Sequence, residues 1–155
     1  MKDIVLMTET LIRVRFSEVD SMGVVWHGQY IKYFEDGRED FGNKFNVNYL
    51  DFYKQGILVP IVKLECNYKK PLVFGDSALV ETRFVDCEAA KSIFDFTVYN
   101  SWNHEIVATG TSTQVFMTLN HELMLNFPPF FVEWKKISSF DRSENRSPRK
   151  LLPER

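Results

Sequence analysis

The chain has 155 residues, of which 45% are apolar and 26% are charged, a balance typical of one soluble globular domain. Its net charge of -2 gives no electrostatic reason to bind nucleic acid or an anionic membrane. There is no signal-peptide pattern at its start and no apolar run of membrane-spanning length, so we expect a cytoplasmic protein that does not enter a membrane. Cys66 and Cys87 have no redox or metal spacing, and we expect both on strands as small buried side chains.

The first predicted elements are a strand, a loop and two helices. Residues 10–16 alternate apolar and polar side chains, which is typical of a half-buried strand. A glycine-containing loop follows over residues 17–26. Over residues 28–41 apolar side chains recur at helical spacing, which predicts a helix about 20 Å long. A short second helix is predicted over residues 48–55, with Asn48 as its N-cap.

Four further strands are predicted, over residues 57–68, 77–85, 92–100 and 106–119. Pro60 has no backbone N–H and indicates a strand end or a bulge in the first of them. Ala108, Gly110 and Ser112 share one face of the last, and such small residues suit a sheet that passes close over a helix. This element order predicts an α+β fold, with one antiparallel sheet of about five strands curved around one long helix.

The end of the chain has a different composition. Residues 120–137 are apolar but irregular, because Pro128 and Pro129 interrupt any helix or strand. From residue 138 onward the chain is rich in Ser, Arg, Glu and Pro and has no apolar period, so we expect disorder. The sequence therefore predicts one domain over residues 1–137 and a disordered tail over residues 138–155.

Residues 15–30 carry the strongest chemical signal. Asp20 lies in the glycine-containing loop, seven residues before His27, where the long helix is predicted to begin. A helix N-terminus presents unpaired backbone N–H groups and the equivalent of roughly half a positive charge. A carboxylate beside it therefore suits attack on a carbonyl whose oxygen becomes negative. Taken alone, an aspartate in such a loop is more often an ordinary turn or capping residue, and a histidine at a helix start is more often structural.

Several separated motifs carry a resemblance to a known family. They are Asp20-x-Met-Gly-Val-Val-Trp-His-x-x-Tyr30, then Tyr33-Phe34-Glu35 and Arg38, then Gly56-Ile-Leu-Val-Pro-Ile-Val62 and Tyr68-x-x-Pro71-x-x-x-Gly75-Asp76. In this order they resemble the hydroxybenzoyl-CoA thioesterase branch of the hotdog-fold acyl-CoA thioesterases, over residues 9–134. The resemblance implies a hotdog fold, dimers that pair their sheets edge to edge and often assemble into tetramers, and active sites between subunits.

The resemblance also implies roles for individual residues. Asp20 matches the catalytic carboxylate, and His27 matches the position whose backbone N–H polarises the thioester carbonyl. The expected substrate-binding residues lie at the helix start and after the second helix: Gly28, Tyr30, Leu58, Val59 and Pro60. For the last three, a plain core role explains the pattern nearly as well. The three histidines have no metal-ligand spacing, and we expect no metal and no cofactor.

The expected reaction is hydrolysis of an acyl-CoA to a free acid and coenzyme A. The carboxylate can attack the carbonyl to form an anhydride or activate water as a general base, and the sequence does not choose between them. A thioesterase acting on acyl carrier protein is one alternative, and a non-hydrolytic hotdog module that binds acyl-CoA or a protein is another. Glu35 could reach the same cleft or hold a helix-face hydrogen bond, and Glu18 is expected to be solvated.

Overall fold

The computed structural model describes residues 6–143, with the side chains of residues 6–138. In chain order the elements are β1 (Met7–Arg13), a 3-10 turn (Phe16–Glu18), α1 (Gln29–Phe45), α2 (Tyr49–Lys54), β2 (Ile57–Leu58), β3 (Ile61–Tyr68), β4 (Ser77–Val85), β5 (Lys91–Asn100), β6 (Ile106–Val115), β7 (Met117–Thr118) and α3 (Pro129–Ser143). Five strands form one antiparallel sheet in the order β1-β4-β5-β6-β3, and β2 pairs with β7 separately.

The long helix α1 packs against the inner face of the sheet. The ring of Phe34, fully buried, stacks on Phe96 of β5 with 4.5 Å between ring centroids. Gly110 of β6 lies against Phe34, and a Cβ atom built there would come within 2.4 Å of the ring. The small residue on β6 therefore lets the sheet approach the helix, as the sequence predicted. The prediction of an α+β fold with one antiparallel sheet packed on one long helix is confirmed.

The first strand and one cysteine differ from expectation. The strand predicted over residues 10–16 is observed as β1, which begins earlier, at Met7, and ends at Arg13. The N–H of Val14 still donates to the carbonyl oxygen of Asp76 at 2.9 Å, and the 3-10 turn then begins at Phe16. Cys87 lies in the loop between β4 and β5 rather than on a strand, because its thiol satisfies loop carbonyls, including that of Ala89 at 3.4 Å. The prediction for Cys87 was therefore wrong.

The two longest predicted strands are each divided. The strand expected over residues 57–68 separates into β2 and β3, and that over residues 106–119 separates into β6 and β7. Pro60 lies at the first break, where its carbonyl accepts a hydrogen bond from the N–H of Val115 at 3.1 Å. The prediction of an interruption at this proline is confirmed.

Helix α3 corrects the reading of the chain end. The sequence predicted irregular structure over residues 120–137 and disorder from residue 138 onward. The helix instead runs from Pro129 to Ser143. Proline fits the first turn of a helix, since that N–H has no intrahelical partner in any case. Phe131, Trp134 and Ser138 are buried at helical spacing. The expected disorder of residues 144–155 lies outside the described residues.

The sheet separates two ends of the molecule. Strand β3 runs from Ile61, beside Gln114 of β6, to Tyr68, whose hydroxyl reaches the start of α1. Its seven steps at about 3.3 Å each correspond to about 23 Å. Residues 58–60 therefore lie at one end of the sheet, and the start of α1 lies at the other.

Candidate active site

A tight hairpin over residues 19–25, here called the site hairpin, carries Asp20. Val19 and Val25 form an antiparallel bridge, and the N–H of Asp20 donates to the carbonyl of Val24 at 2.8 Å. The chain reverses between them, where Gly23 adopts a φ of +80° and donates its N–H to the Asp20 carbonyl at 3.0 Å. Glycine accepts this left-handed conformation without steric cost. The local sequence thus places Asp20 at the tip of a fixed hairpin.

The two carboxylate oxygens of Asp20 have different surroundings. Oδ1 accepts the N–H of Met22 at 2.8 Å, which is the turn role that the sequence analysis left open. Oδ2 has no hydrogen-bond or ionic partner within residues 6–143, and the side chain is half-buried. One oxygen therefore orients the group, while the other is available to attack a carbonyl or to accept a proton from water.

The start of α1 leaves backbone donors unpaired. Gly28 is the N-cap residue, it supplies no side-chain cap, and the first turn holds no acidic residue. Among the described residues, the N–H groups of His27 and Gly28 have no hydrogen-bond acceptor. Such a helix end favours a negatively charged oxygen. The imidazole of His27 is exposed. The backbone carbonyl of His27 accepts a hydrogen bond from the hydroxyl of Tyr68 at 2.6 Å, which fixes the backbone at the helix start.

Gly28 and Tyr30 differ in what they can offer a substrate. Gly28 lies under the indole of Trp26, and a Cβ atom there would come within 2.3 Å of the ring. Tyr30 is buried between Tyr33 and Tyr68, with ring centroids 5.7 and 5.2 Å away, and burial raises the pKa of its phenol. The side chain of Tyr30 is therefore part of the core, and only its backbone is placed near the helix end.

Glu18 was expected to be solvated, and that prediction was wrong. The side chain is half-buried, and its carboxylate accepts hydrogen bonds from the backbone of Arg15, the amide of Gln29 and the hydroxyl of Tyr33. Burial and then the charge of Glu18 raise the pKa of Tyr33. Local alternation gave no sign of these contacts, since two of the donors belong to α1.

A cavity of about 410 Å³ lies at the opposite end, between the sheet and the three helices. Of the predicted site residues, Val59 and Glu35 line it, and Leu58 and Pro60 flank Val59 in the chain. Burial lowers the pKa of Arg38, another lining residue, although nearby Glu35 opposes the shift. Six of the sixteen lining residues are aromatic, with Phe52, Phe94, Phe131 and Trp134 among them, and seven are polar or charged. Concave sites that combine aromatic walls with polar groups are typical of small-molecule pockets.

The predicted residues thus fall into two groups within one chain. Asp20, His27 and Gly28 gather around the site hairpin, and none of them lines the cavity. Leu58, Val59 and Pro60 belong to the other end, with the length of β3 between them. In one copy of the chain the catalytic candidates lie in the site hairpin and at the helix start that follows it, apart from the pocket.

Metal-ion clusters and membrane-spanning helices are both absent from the described part of the chain. Nowhere in it do three or more His, Cys, Asp or Glu side chains gather in a way that could hold a metal ion. None of its helices is long and apolar enough to cross a membrane.

Several known proteins similar to this chain are named thioesterases. The candidate acyl-CoA thioesterase YneP of Bacillus subtilis (strain 168) is 32% identical over 123 residues, covering 79% of this chain and 88% of that protein. A DHNA-CoA thioesterase structure from Staphylococcus aureus superposes with a TM-score of 0.77 and 26% identity, covering 91% and 96% of the two chains. The chloroplastic acyl-acyl carrier protein thioesterase ATL3 of Arabidopsis thaliana is 28% identical over 109 residues, covering 70% of this chain and 57% of that protein.

The family match covers the fold and the site hairpin together. The family model of the thioesterase-like superfamily matches residues 14–135, which run from just after β1 into α3. Both the sheet order and the long helix agree with this match. The chain is therefore a hotdog-fold member of the thioesterase-like superfamily, a family of hydrolases.

Proposed function

We propose that this protein hydrolyses acyl-CoA thioesters to a free carboxylic acid and coenzyme A. The observation that carries the proposal is the pairing of a fixed carboxylate with a free oxygen, Asp20 Oδ2, and a helix start with unpaired N–H groups at His27 and Gly28. A carboxylate supplies the base or nucleophile, and the N–H groups stabilise the oxyanion, which is worth about 10²–10³ in rate. Kinship with thioesterases supports the thioester as the bond cleaved.

Two routes balance with these groups. In the first, Asp20 attacks the carbonyl carbon, the C–S bond breaks, and water then hydrolyses the resulting anhydride. In the second, Asp20 accepts a proton from water as the oxygen adds to the carbonyl, and it returns that proton to the departing thiolate. In both, the N–H of His27 donates to the oxygen that becomes negative.

The complete site is proposed to need two copies of the chain. Strand β3 is an edge strand with no partner on its outer side among the described residues, and Val62 exposes 59% of its surface there. An exposed apolar edge is a template for pairing with another chain. Antiparallel pairing of two β3 strands about a two-fold axis sets the start of one opposite the end of the other. The His27 end then meets the partner subunit's Val59 and its cavity.

In this arrangement the cavity of one copy is the chamber that holds the acyl group, and the site hairpin of the neighbouring copy supplies Asp20. The predicted substrate-binding roles of Leu58, Val59 and Pro60 are kept on this basis, and the proposed assembly is a homodimer or homotetramer. A cytoplasmic location stays a prediction from the sequence, and so does a domain boundary near residue 137.

Acyl carrier protein carries the same thioester and is the second candidate substrate. The similarity to ATL3 favours it specifically. Turnover of one acyl group on coenzyme A and on acyl carrier protein, measured side by side, separates the two. Tight acyl-CoA binding without thiol release would instead identify a binding module.

Thiol release over a panel of short, long and aromatic acyl-CoA substrates tests the proposal, together with Asp20→Asn. Asparagine keeps an oxygen for the N–H of Met22 but removes the charge, so kcat should fall well beyond tenfold while the fold survives. Asp76→Asn is the matched control, since its carboxylate also accepts a local N–H, from Val73 at 2.9 Å, and should leave kcat nearly unchanged. Near-normal turnover by Asp20→Asn would rule out the proposed role.

A further inference from the structure

Glu18 connects the site hairpin to the first two turns of α1. Its Oε1 accepts the backbone N–H of Arg15 at 2.9 Å and the hydroxyl of Tyr33 at 3.0 Å. Its Oε2 accepts the side-chain amide of Gln29 at 3.0 Å. The backbone carbonyl of Glu18 accepts a fourth hydrogen bond, from the N–H of Trp26 on the other arm of the hairpin, at 2.8 Å. Glu18 therefore connects three parts of the chain: Arg15 after β1, Trp26 just beyond the site hairpin, and Gln29 and Tyr33 of α1.

The carboxylate of Glu18 is held by neutral donors. Within the described residues no lysine or arginine forms an ion pair with it. Hydrogen bonds to a charged acceptor are roughly twice as strong as neutral ones, so three such donors hold the group firmly. Tyr33 is fully buried and cannot exchange this bond for one to water. The position of Glu18 is consequently set from the helix side.

We propose, on the basis of the thioesterase function above, that Glu18 is a positioning residue that holds Asp20 in register with the N-terminus of α1. Asp20 lies two residues beyond Glu18 on the same arm of the hairpin. The carboxylate of Glu18 already accepts three hydrogen bonds, so it acts through Asp20 and does not serve as a second base. Because a misplacement of about 1 Å can cost about 10²-fold in rate, losing these bonds lowers kcat and leaves substrate affinity intact.

Substitution of Glu18 separates position from charge. Glu18→Ala removes all three side-chain bonds and should lower kcat by about tenfold or more, with KM within about twofold. Glu18→Gln keeps an oxygen for Arg15 and Tyr33, so it should restore kcat to within about threefold of the native value. The matched control is Thr10→Val, which removes the 2.6 Å hydrogen bond to Asp40 that ties α1 to β1. That variant should lose stability and keep its kcat, all assays being run below each melting temperature.

Two further measurements keep the proposal open to refutation. Glu18→Ala should speed hydrogen exchange at the amides of Met22 and Gly23 but not at Phe41 in the middle of α1. In an Asp20→Asn background, Glu18→Ala should cause no further loss, because its effect passes through Asp20. Native kcat in Glu18→Ala, a further tenfold loss in the double variant, or unchanged exchange would each overturn the positioning role. If the native protein releases no thiol from any acyl-CoA, the proposed function fails, and the exchange experiment still decides whether Glu18 holds the hairpin.

Discussion

Tyr33 and Tyr30 are buried phenols on α1, and burial is the main reason that their pKa values are raised above the ordinary value of 10.0. For Tyr33, the charge of Glu18 adds to the rise. Above pH 10.0 the unfolded chain releases protons that the folded state retains, so the free energy of unfolding falls as pH increases. The stability contribution of these neutral phenols is full below that pH and is lost as pH climbs towards the raised values.

Tyr33→Phe should therefore make stability less sensitive to alkaline pH. Removing one such titration should reduce the slope of unfolding free energy against pH by up to about 1.4 kcal/mol per unit above pH 10.0, where the unfolded phenol ionises. Urea unfolding across this range measures the slope. Tyr53→Phe, at a half-exposed tyrosine of α2, is the control and should leave it unchanged. Equal slopes in Tyr33→Phe and the native protein would contradict the assignment.

For single residues, local sequence patterns predicted the position along the fold better than they predicted the side-chain contacts. Asp20 in a glycine-containing loop and His27 just before the helix are both where the sequence predicted. Glu18 was misjudged because its side-chain donors Gln29 and Tyr33 lie 11 and 15 residues later, beyond the reach of an alternation pattern. The motif placed Tyr30 at the site, but Tyr30 lies on the buried face of α1, and its ring is therefore part of the core.

Among the elements, those with one clearly buried face were predicted best. Strand β4 has the predicted bounds, Ser77–Val85, and Ala78, Val80 and Thr82 on one of its faces are fully buried. Helix α3 was missed because Pro128 and Pro129 suggested a break, although a proline in the first turn starts a helix as readily as it ends one. The spacing of its buried aromatic residues Phe131 and Trp134 was the signal that could have revealed it.

Trp134 provides a direct test of α3. Its indole N–H donates to the carbonyl of Phe45 at 2.7 Å in the core, and its ring stacks on Phe131 with 5.2 Å between centroids. Trp134→Phe keeps an aromatic ring but leaves that carbonyl without its donor, which should lower the free energy of unfolding by about 1–3 kcal/mol. Trp102→Phe, at an indole that is 78% exposed, should change it by less than about 0.5 kcal/mol. Urea titration of both compares them, and equal stabilities would exclude a packed α3.

For the whole molecule, the separation between the site hairpin and the cavity is the most consequential feature. The resemblance implied a site between subunits, but spacing along one chain could not place the pocket, since it depends on how two edges meet. The fold shows how the two parts lie relative to the edge strand: His27 contacts Tyr68 at the end of β3, and Val59 lies just before the start of β3. In the proposed dimer, antiparallel pairing of the two β3 edges brings the two halves together twice.

Complementation between two inactive variants tests this central claim most directly. Asp20→Asn disables the hairpin half, and Val59→Arg fills the acyl chamber with a charged side chain. In a mixed dimer, one site has both defects and the other has neither. Random assembly of equal amounts should therefore recover roughly a quarter of native thiol release. Differently tagged chains and mass measurement of the purified mixed dimer establish its composition.

The control pairs Asp20→Asn with Glu18→Ala, two defects in the same half, which leave no intact site in a mixed dimer. Dual-tag purification and thiol release from one acyl-CoA make the two mixtures directly comparable. Recovery with Val59→Arg and none beyond residual activity with Glu18→Ala is the result predicted. A verified mixed dimer of Asp20→Asn and Val59→Arg that releases no more thiol than its parents would contradict the shared site.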